Sequence, residues 1–166
     1  AADKLISNSF LLVQVGVDRP DITDKSWIYY SDKEISFVRL SFPANLSPYC
    51  VPKGCSSILV EISYGPNDRL PSPIEDITPK VLEDLVTVNI LTKDDRILFA
   101  NCHMIEKAYV IFDHQRKAAI STIHTYLKAI GIIPFGRYGM WEYLWSDEAI
   151  MNGLNTIKAN INKTHG

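Results

Sequence analysis

The sequence predicts an α+β fold in which a mainly antiparallel, mixed β-sheet is flanked by helices. The predicted strands cluster early in the chain and do not alternate regularly with helices, as they would in a doubly wound parallel fold. Several strands alternate apolar and polar residues, which is typical of antiparallel sheets with one buried face. The length of 166 residues fits one domain or slightly more, and a hydrophobic fraction of 46% can supply its core.

The strand predictions rest on apolar, β-branched segments that are bounded by turn signals. In chain order they are residues 9–17, 27–30, 36–42, 57–64, 96–104, 107–112 and 132–135. The second and third form a predicted hairpin, in which Val38, Leu40 and Phe42 share one face. In the fourth, alternate positions from Ile58 to Tyr64 share the buried face. Two proline-rich segments between the strands are predicted loops.

Three helices are predicted from capping residues that precede apolar residues at helical spacing. Thr78 and Pro79 are the predicted N-cap and first residue of the first helix. The second helix begins near Asp113 and ends at Gly131, and Ser146 caps the third. The positions expected to be buried are Val81, Leu85 and Val88 in the first helix, Ile120, Ile123, Leu127 and Ile130 in the second, and Ile150, Leu154, Ile157 and Ile161 in the third.

Charge and hydropathy exclude two classes of partner. The formal net charge of −2 supplies no basic excess for a phosphate backbone, so we expect no nucleic-acid partner. No apolar run approaches the length of about 18 residues that a transmembrane helix requires, so we expect no transmembrane segment. The first residues do not form a charged region that leads into an apolar one, as a secretory signal would.

The three cysteines predict reduced thiols and a cytoplasmic protein, because their number is odd and their spacing irregular. Cys50, Cys55, Cys102 and His103 could in principle hold zinc. However, Cys102 and His103 are neighbours on a predicted strand, so their side chains point to opposite faces. We therefore expect no metal site and no cysteine–histidine nucleophile pair.

The sequence contains no self-contained catalytic or phosphate-binding signature. It has no G-x-S-x-G, H-E-x-x-H or G-x-x-x-x-G-K-[ST] motif, and no G-x-G-x-x-G follows a strand. Asp113 and His114 fit either an acid–base pair or an N-cap aspartate followed by a first-turn histidine. The residues alone leave both interpretations open.

Residues 132–147 are the most unusual stretch of the chain. A predicted strand ends in Gly136-Arg137-Tyr138-Gly139, and an aromatic loop and a capped helix follow. Glycines permit a close backbone approach to a ligand, and an arginine offers a planar fork for phosphate or carboxylate. The aromatic residues of the loop are Trp141, Tyr143 and Trp145. The residues fit either a ligand site at a helix N-terminus or a tight turn whose aromatics enter a core.

Residues 136–153, with the sequence GRYGMWEYLWSDEAIMNG, resemble a known flavin-contacting segment. It is the carboxy-terminal segment of the FAD-dependent superfamily of amine oxidases, protoporphyrinogen oxidases and UDP-galactopyranose mutases, with the pattern G-R-x-G-x-W-x-Y. A second block resembles the β-rich substrate domain of bacterial members linked to lipopolysaccharide or other polysaccharide biosynthesis; it consists of residues 27–30, 37–43, 45, 47–48 and 52–61. Residues 109–113 resemble the family segment Y-P-[VI]-Y-[DN], with Val110 in place of proline.

The resemblance implies a set of cofactor contacts. Gly136, Arg137 and Gly139 would lie along the ribityl or pyrophosphate part of FAD. The backbone at Asp147 and Glu148, at the start of the last helix, would face the N1 and C2=O edge of the flavin. A helix dipole at that edge favours the anionic reduced flavin.

The resemblance also implies substrate contacts, although it assigns no catalytic residue because the flavin would carry the chemistry. Tyr109 and Tyr143 would lie near a small-molecule substrate, and Trp141 offers a stacking face beside them. Arg39, with Arg137, is a candidate for binding the diphosphate of a nucleotide sugar if the parent is a mutase.

The resemblance divides the chain into a substrate-binding domain, residues 1–131, and a segment, residues 132–166, that belongs to the FAD-binding domain of the intact enzyme. The amino-terminal Rossmann half with its glycine fingerprint is absent from this sequence. We therefore expect the chain to be a substrate-domain fragment of a two-domain flavoenzyme, to bind FAD weakly or not at all, and to be inactive alone. Apolar surface at the open edge would favour an artificial homodimer.

Two other functions remain open from the residues. The chain could be a non-catalytic ligand-binding module, since Gly136–Gly139 superficially matches the GXXG loop of KH RNA-binding domains. That loop joins two helices, whereas this one follows a predicted strand. Alternatively, the aromatic loop could bind a protein partner. Within the flavoenzyme interpretation, the parent would be either an oxidoreductase or a nucleotide-sugar mutase.

Overall fold

A computed structural model of the chain describes residues 1–70 and 73–161, with side chains as far as Asn160. The described residues form two compact units. We call Ser9–Glu106 the sheet unit, and Ala1–Asn8 together with the described residues from Lys107 onward the helical unit. The polypeptide therefore leaves the helical unit after Asn8 and re-enters it at Lys107.

Within the described residues, five strands form one sheet in the order β2-β3-β4-β1-β5, and every pairing is antiparallel. The strands are β1 (Ser9–Val17), β2 (Trp27–Tyr29), β3 (Arg39–Ser41), β4 (Ser56–Tyr64) and β5 (Ile97–Ile105). The helices of the sheet unit are α1 (Pro43–Leu46) and α2 (Ile77–Thr87). The predicted α+β class is confirmed.

The core of the sheet unit lies on one face of the sheet. Successive side chains of a strand point to opposite faces, so alternate residues of β1 and β4 enter the core. These are Leu11, Val13, Val15, Val17, Ile58, Val60 and Ile62, all of which are buried. Val81 and Leu85 of α2 belong to the same cluster, as predicted from their helical spacing.

The hairpin of β2 and β3 departs from the prediction at its second strand. Leu40 and Phe42 are buried as expected, but Phe37 is also buried and Val38 is exposed. The Ser36 amide donates to Asp84 Oδ2 at 2.9 Å, so the chain is held by α2 before β3 begins. The strict alternation assumed for residues 36–42 applies only from Arg39 onward.

Asp84 is a buried carboxylate that the helical periodicity did not predict. Its Oδ1 accepts a hydrogen bond from Lys80 Nζ at 2.6 Å, one helical turn earlier, and its Oδ2 accepts from Ser36. Burial alone would raise the pKa of the Asp84 carboxyl, but the bonds from Lys80 and Ser36 outweigh it and lower the pKa below its ordinary value. Asp84 therefore fastens the hairpin to α2 as a carboxylate.

Two predicted loop boundaries change in the structure. A 3₁₀ turn, Ile74–Asp76, runs directly into α2, so Thr78 lies inside the helix and is not its N-cap. The first proline-rich loop contains α1 and a 3₁₀ turn, Pro48–Cys50, each of which begins at a proline. Proline fixes φ at a helical value, and it has no N–H group that would need an acceptor in the first turn of a helix.

Strand β5 contacts β1 through an irregular pairing. The register shifts between Gly16 and Val17, and the ring of Phe99 lies over Gly16. A Cβ atom at Gly16 would stand 2.3 Å from Phe99 Cε1. The glycine therefore provides the space that this aromatic ring occupies.

The helical unit contains α3 (Arg116–Ala129), α4 (Gly136–Gly139) and α5 (Ser146–Ile161). The strand predicted at residues 107–112 is wrong, because within the described part of the chain the segment forms one isolated bridge, between Ser7 and Val110. The strand predicted at 132–135 is also wrong. Ile132 donates its amide to Leu127 O at 2.9 Å, which completes the end of α3, and Pro134 has no amide to offer a sheet.

The apolar stripe of α5 was expected to be buried, but Ile150, Leu154 and Ile157 are exposed. The side chain of the fourth member, Ile161, lies outside the described residues. Among the described residues, none of the helices has the length and apolar character needed to cross a membrane. The boundary predicted between residues 131 and 132 concerns the intact enzyme and stays a prediction.

Candidate functional site

The candidate site is the bend from Gly136 to Glu148, which lies wholly in the helical unit. It begins with the single turn α4, closed by a hydrogen bond from the Met140 amide to Gly136 O at 3.0 Å. The chain then reverses at Trp141, whose φ of 51° is left-handed. A bond from the Glu142 amide to Arg137 O at 2.9 Å holds this reversal in place.

The two glycines of the bend are favoured by the geometry of the chain itself. Gly136 has a φ of 71°, which a residue with a side chain rarely adopts, and its amide donates to Asn152 Oδ1 at 2.7 Å. Gly139 lies against the backbone of Pro134, where a Cβ would stand 3.3 Å from the Pro134 carbonyl carbon. Their predicted contact with a cofactor stays a prediction.

Arg137 lies beside two stacked tyrosine rings. The ring centroids of Tyr109 and Tyr143 are 5.1 Å apart with an interplanar angle of 23°. The Arg137 guanidinium carbon lies 4.8 Å from the first centroid and 4.7 Å from the second. The structure therefore brings together three residues that the sequence predicted separately, and it positions a cation against two electron-rich faces.

The guanidinium of Arg137 is only partly satisfied by hydrogen bonds. Its Nη1 donates to Leu144 O at 3.2 Å. Within the described part of the chain, its Nε and Nη2 are buried and have no acceptor. A buried N–H group without an acceptor costs about 1–3 kcal/mol, and more when the group is charged. These donors match a ligand that carries carbonyl or anionic oxygens.

Arg116, the first residue of α3, supports the bend and was not predicted as a site residue. Its side chain is 8% exposed, and its Nε and Nη2 both donate to Trp141 O, at 2.9 and 2.6 Å. It also pairs with Glu142, and its guanidinium carbon lies 4.0 Å from the centroid of the Phe112 ring. Arg116 therefore fixes the carbonyl of the left-handed residue.

Trp141 and Tyr143 occupy different environments. Trp141 is 9% exposed, and its ring lies edge-on to that of Tyr138, so it offers little surface to a substrate. Its Nε1 is buried and has no acceptor among the described residues. Tyr143 and Trp145 are exposed, so they present the aromatic surface of the loop.

The start of α5 is capped by a different residue from the one predicted. The helix begins at Ser146, and the carboxylate of Glu148 accepts the Trp145 amide at 2.7 Å. In a capping box, the side chain of the third helical residue accepts a hydrogen bond from the backbone amide of the residue before the helix, and Glu148 makes this contact. Asp147 and Glu148 are exposed in the first turn, where carboxylates interact favourably with the helix dipole.

Arg39, the other predicted substrate ligand, belongs to the sheet unit. Its Nε donates to Glu61 Oε1 at 2.9 Å, and its Nη2 makes a second contact with the same oxygen. The Glu61 side chain is 6% exposed, so this is a partly buried ion pair. The charge of Arg39 is compensated within the sheet.

The remaining candidate residues have structural roles. Asp113 Oδ1 accepts hydrogen bonds from the amides of Gln115 and Arg116 at 3.1 and 2.8 Å, so it caps α3. This favours the capping role over an acid–base pair with His114.

Among the described residues, the cysteines and His103 form no metal site. Within residues 1–70 and 73–161, no group of three or more His, Cys, Asp or Glu side chains could hold a metal ion. Burial, and secondarily Glu75, raises the pKa of the Cys102 thiol.

Comparison with known proteins identifies the fold. No family model matches the chain. A crystal structure of reduced UDP-galactopyranose mutase superposes with a TM-score of 0.76 and 25% identity, over 86% of this chain and 30% of that one. A protein from Exiguobacterium sp. 255-15 assigned as a protoporphyrinogen oxidase superposes with a TM-score of 0.61 and 13% identity, over 76% of this chain and 28% of that one.

The superposition on UDP-galactopyranose mutase confirms the superfamily resemblance noted in the sequence, and the second neighbour shares the fold. The chain spans less than a third of the length of either neighbour. Its α+β architecture therefore corresponds to part of a larger flavoenzyme fold.

Proposed function

We propose that this chain is the substrate domain and carboxy-terminal flavin-contacting segment of an FAD-dependent, amine-oxidase-like enzyme. The proposal is supported by the two structural neighbours and by the small share of their length that the chain spans. The intact enzyme would add a Rossmann half, which would supply most of the FAD-binding surface. The chain alone would therefore bind FAD weakly or not at all and would be inactive.

The observation that carries the proposal is the incomplete hydrogen bonding of Arg137. Its buried Nε and Nη2 have no acceptor among the described residues, and it lies within the segment that resembles the flavin-contacting motif. The oxygens of a ribityl chain, a pyrophosphate or a flavin carbonyl would satisfy these donors. Asp147 and Glu148 are exposed in the first turn of α5, where a helix N-terminus would face the same cofactor.

Within this proposal each residue of the bend has a defined task. FAD, when bound, would supply hydride transfer or flavin-assisted chemistry at N5. Gly136 and Gly139 give the backbone its path along the cofactor, and Arg137 donates to cofactor oxygens. Tyr143, which is exposed, and Tyr109, which is stacked on it, line the substrate side. Trp141 is the buried support of the loop.

The chemistry of the intact enzyme can follow either of two routes. One is an oxidoreductase, for example in lipopolysaccharide or other polysaccharide biosynthesis. The other is a nucleotide-sugar mutase, which is favoured by the superposition on UDP-galactopyranose mutase over 86% of the chain. A mutase needs cationic groups for a diphosphate, and the pairing of Arg39 with Glu61 weakens the case for Arg39 in that role.

The test compares flavin content in the isolated chain and in the longer polypeptide that contains it. We expect the isolated chain to be colourless and the longer protein to be yellow after purification. Arg137→Met in the longer protein should lower the bound FAD, since the variant keeps apolar contact but loses the donors. Arg96→Met removes a solvent-exposed arginine of the sheet unit and serves as the matched control.

Three outcomes would contradict parts of the proposal. A longer protein that purifies without flavin, and gains none when FAD is added, would support the non-catalytic binding module instead. Equal FAD content in the Arg137→Met and Arg96→Met proteins would remove Arg137 from the cofactor site. A stoichiometric yellow colour in the isolated chain would contradict the predicted weak binding of the fragment.

A further inference from the structure

Asn152 of α5 holds the first residue of the bend. Its Oδ1 accepts a hydrogen bond from the Gly136 amide at 2.7 Å, although the two residues are 16 positions apart in the sequence. Gly136 is the first residue of α4, and the amides of a first helical turn have no acceptor within their own helix. A side chain of one helix therefore satisfies the backbone of another.

The residue after Asn152 contacts the same junction. A Cβ atom at Gly153 would stand 3.7 Å from two carbons of the Phe135 ring, so this ring packs against the backbone of α5. Phe135 is extended, with a φ of −153°, and Gly136 then turns into the left-handed region with a φ of 71°. Helix α5 thus holds the chain where its direction changes, by one hydrogen bond and one packing contact.

These contacts connect the two parts of the bend that the proposed function assigns to the cofactor. Arg137 follows Gly136 directly, and its buried Nε and Nη2 have no acceptor among the described residues. The first turn of α5 begins at Ser146, which is six residues, or about 9 Å, from Asn152 along the helix. Because this length of hydrogen-bonded helix moves as one body, the bond to Gly136 fixes where Arg137 stands relative to the start of α5.

The loop between Arg137 and Ser146 connects the same two parts less directly. Its contacts with Arg137 are a bond from the Glu142 amide to Arg137 O at 2.9 Å and one from Arg137 Nη1 to Leu144 O at 3.2 Å. Both acceptors and donors of these bonds precede α5 in the chain. The hydrogen bond to Asn152 bypasses the loop and joins the Arg137 segment to α5 itself.

We propose that Asn152 is a positioning residue of the cofactor site, whose Oδ1 holds the donors of Arg137 and the amides at the start of α5 in one fixed arrangement. The inference rests on the proposed function for the identity of the ligand, FAD. Asn152 acts through Gly136 and does not itself touch the cofactor. The Gly136 amide is occupied by this bond, so Gly136 gives the backbone its path and donates to Asn152 instead of to FAD.

The first test measures the bond itself and needs no flavin. Exchange of the backbone amides of the isotopically labelled chain is followed by NMR in Asn152→Leu and in Asn155→Leu. Leucine has nearly the shape of asparagine but no acceptor oxygen, and Asn155 is an exposed residue of the same helix, so its variant is the matched control. We expect the Gly136 amide to exchange about tenfold faster in Asn152→Leu than in the control, as for the loss of one hydrogen bond.

The second test measures FAD binding by the longer protein. Asn152→Leu should raise the dissociation constant of FAD by about tenfold, because the bound arrangement of Arg137 is then one of several that the free protein adopts. Asn152→Asp keeps an acceptor oxygen at the same position and should recover most of the affinity. Asn155→Leu should bind FAD as the wild type does.

The reduction potential of the bound flavin, measured at saturating FAD, separates positioning from a general loss of stability. A helix N-terminus and an arginine both favour the anionic reduced flavin, so their displacement should lower the potential. A loss of stability alone changes the amount of bound flavin and not its potential. We expect a lower potential in Asn152→Leu than in the wild type or in Asn155→Leu, with the far-ultraviolet circular dichroism of all three unchanged.

Some results would overturn the inference. Equal exchange of the Gly136 amide in Asn152→Leu and Asn155→Leu would show that the bond does not restrain the bend. If the wild type is yellow, an unchanged FAD affinity and potential in Asn152→Leu would refute the positioning role and leave the proposed function standing. A loss of affinity that Asn152→Asp does not recover would assign the effect to helix packing. A longer wild-type protein that binds no FAD would refute the proposed function and, with it, the role of Asn152 in a cofactor site.

Discussion

Replacement of Arg116 by methionine should destabilise the helical unit by about 3 kcal/mol. The two bonds from its guanidinium to Trp141 O are bonds from a charged donor, which contribute about 1.5–3 kcal/mol when one partner is removed. The contact with the Phe112 ring adds about 1 kcal/mol. The pair with Glu142 adds little, since that carboxylate is half-exposed. Methionine keeps most of the apolar volume, so the loss is largely polar.

The assay is urea denaturation followed by tryptophan fluorescence in a Trp27→Phe background, so that the remaining tryptophans, Trp141 and Trp145, report on the helical unit. With an m-value of about 2 kcal/mol/M, the loss lowers the midpoint by about 1.5 M. Arg96→Met, at an exposed surface pair, should change the midpoint by less than about 0.3 M. A midpoint shift for Arg116→Met no larger than that of the control would refute the account of the bend.

Three further predictions concern the sheet unit. Because the pKa of Asp84 is lowered in the folded state, its contribution should be full above its ordinary value of 3.8 and lost as the pH falls through the folded pKa. The unfolding free energies of the wild type and Asp84→Asn should therefore differ at neutral pH and converge in acid. Gly16→Ala should cost about 1 kcal/mol because the half-exposed Phe99 ring must move, and less in a Phe99→Leu background, as a double-mutant cycle in urea would show. Cys102, whose thiol pKa is raised, should react with iodoacetamide more slowly than the exposed Cys50 at pH 8, as measured by mass spectrometry.

The strands of the sheet were the most predictable part of the fold. The bounds of β1 match the prediction, and those of β4 differ from it by one residue, because the alternation of Ile58, Val60 and Ile62 follows from the two-residue period of a strand. Short apolar segments are too short to show whether they repeat with the period of a strand or of a helix, so they predicted the secondary structure less well. Residues 132–135 are apolar but serve as the exit from α3, and the hydrogen bond that closes this exit is not visible in composition.

The candidate site was located by its sequence but not explained by it. The motif identified Arg137 and Tyr143, and the resemblance added Tyr109, whose ring lies beside both in the structure. Arg116 was not predicted, because an arginine at the start of a helix is normally solvent-exposed and nothing local indicates burial. Its role depends on Trp141, 25 residues away in the sequence. Contacts of this kind arise from tertiary structure alone.

The helical unit is discontinuous in the sequence, because the sheet unit is inserted between its two segments. Ile6, Ser7 and Asn8 are bonded to the segment around Val110, while the whole of Ser9–Glu106 intervenes. The intervening part closes on itself, since Ser9 Oγ donates to Glu106 O at 2.8 Å. Such an insert begins and ends at neighbouring points. It could therefore be removed, or exchanged for that of a relative, by joining the flanking residues through a short bridge.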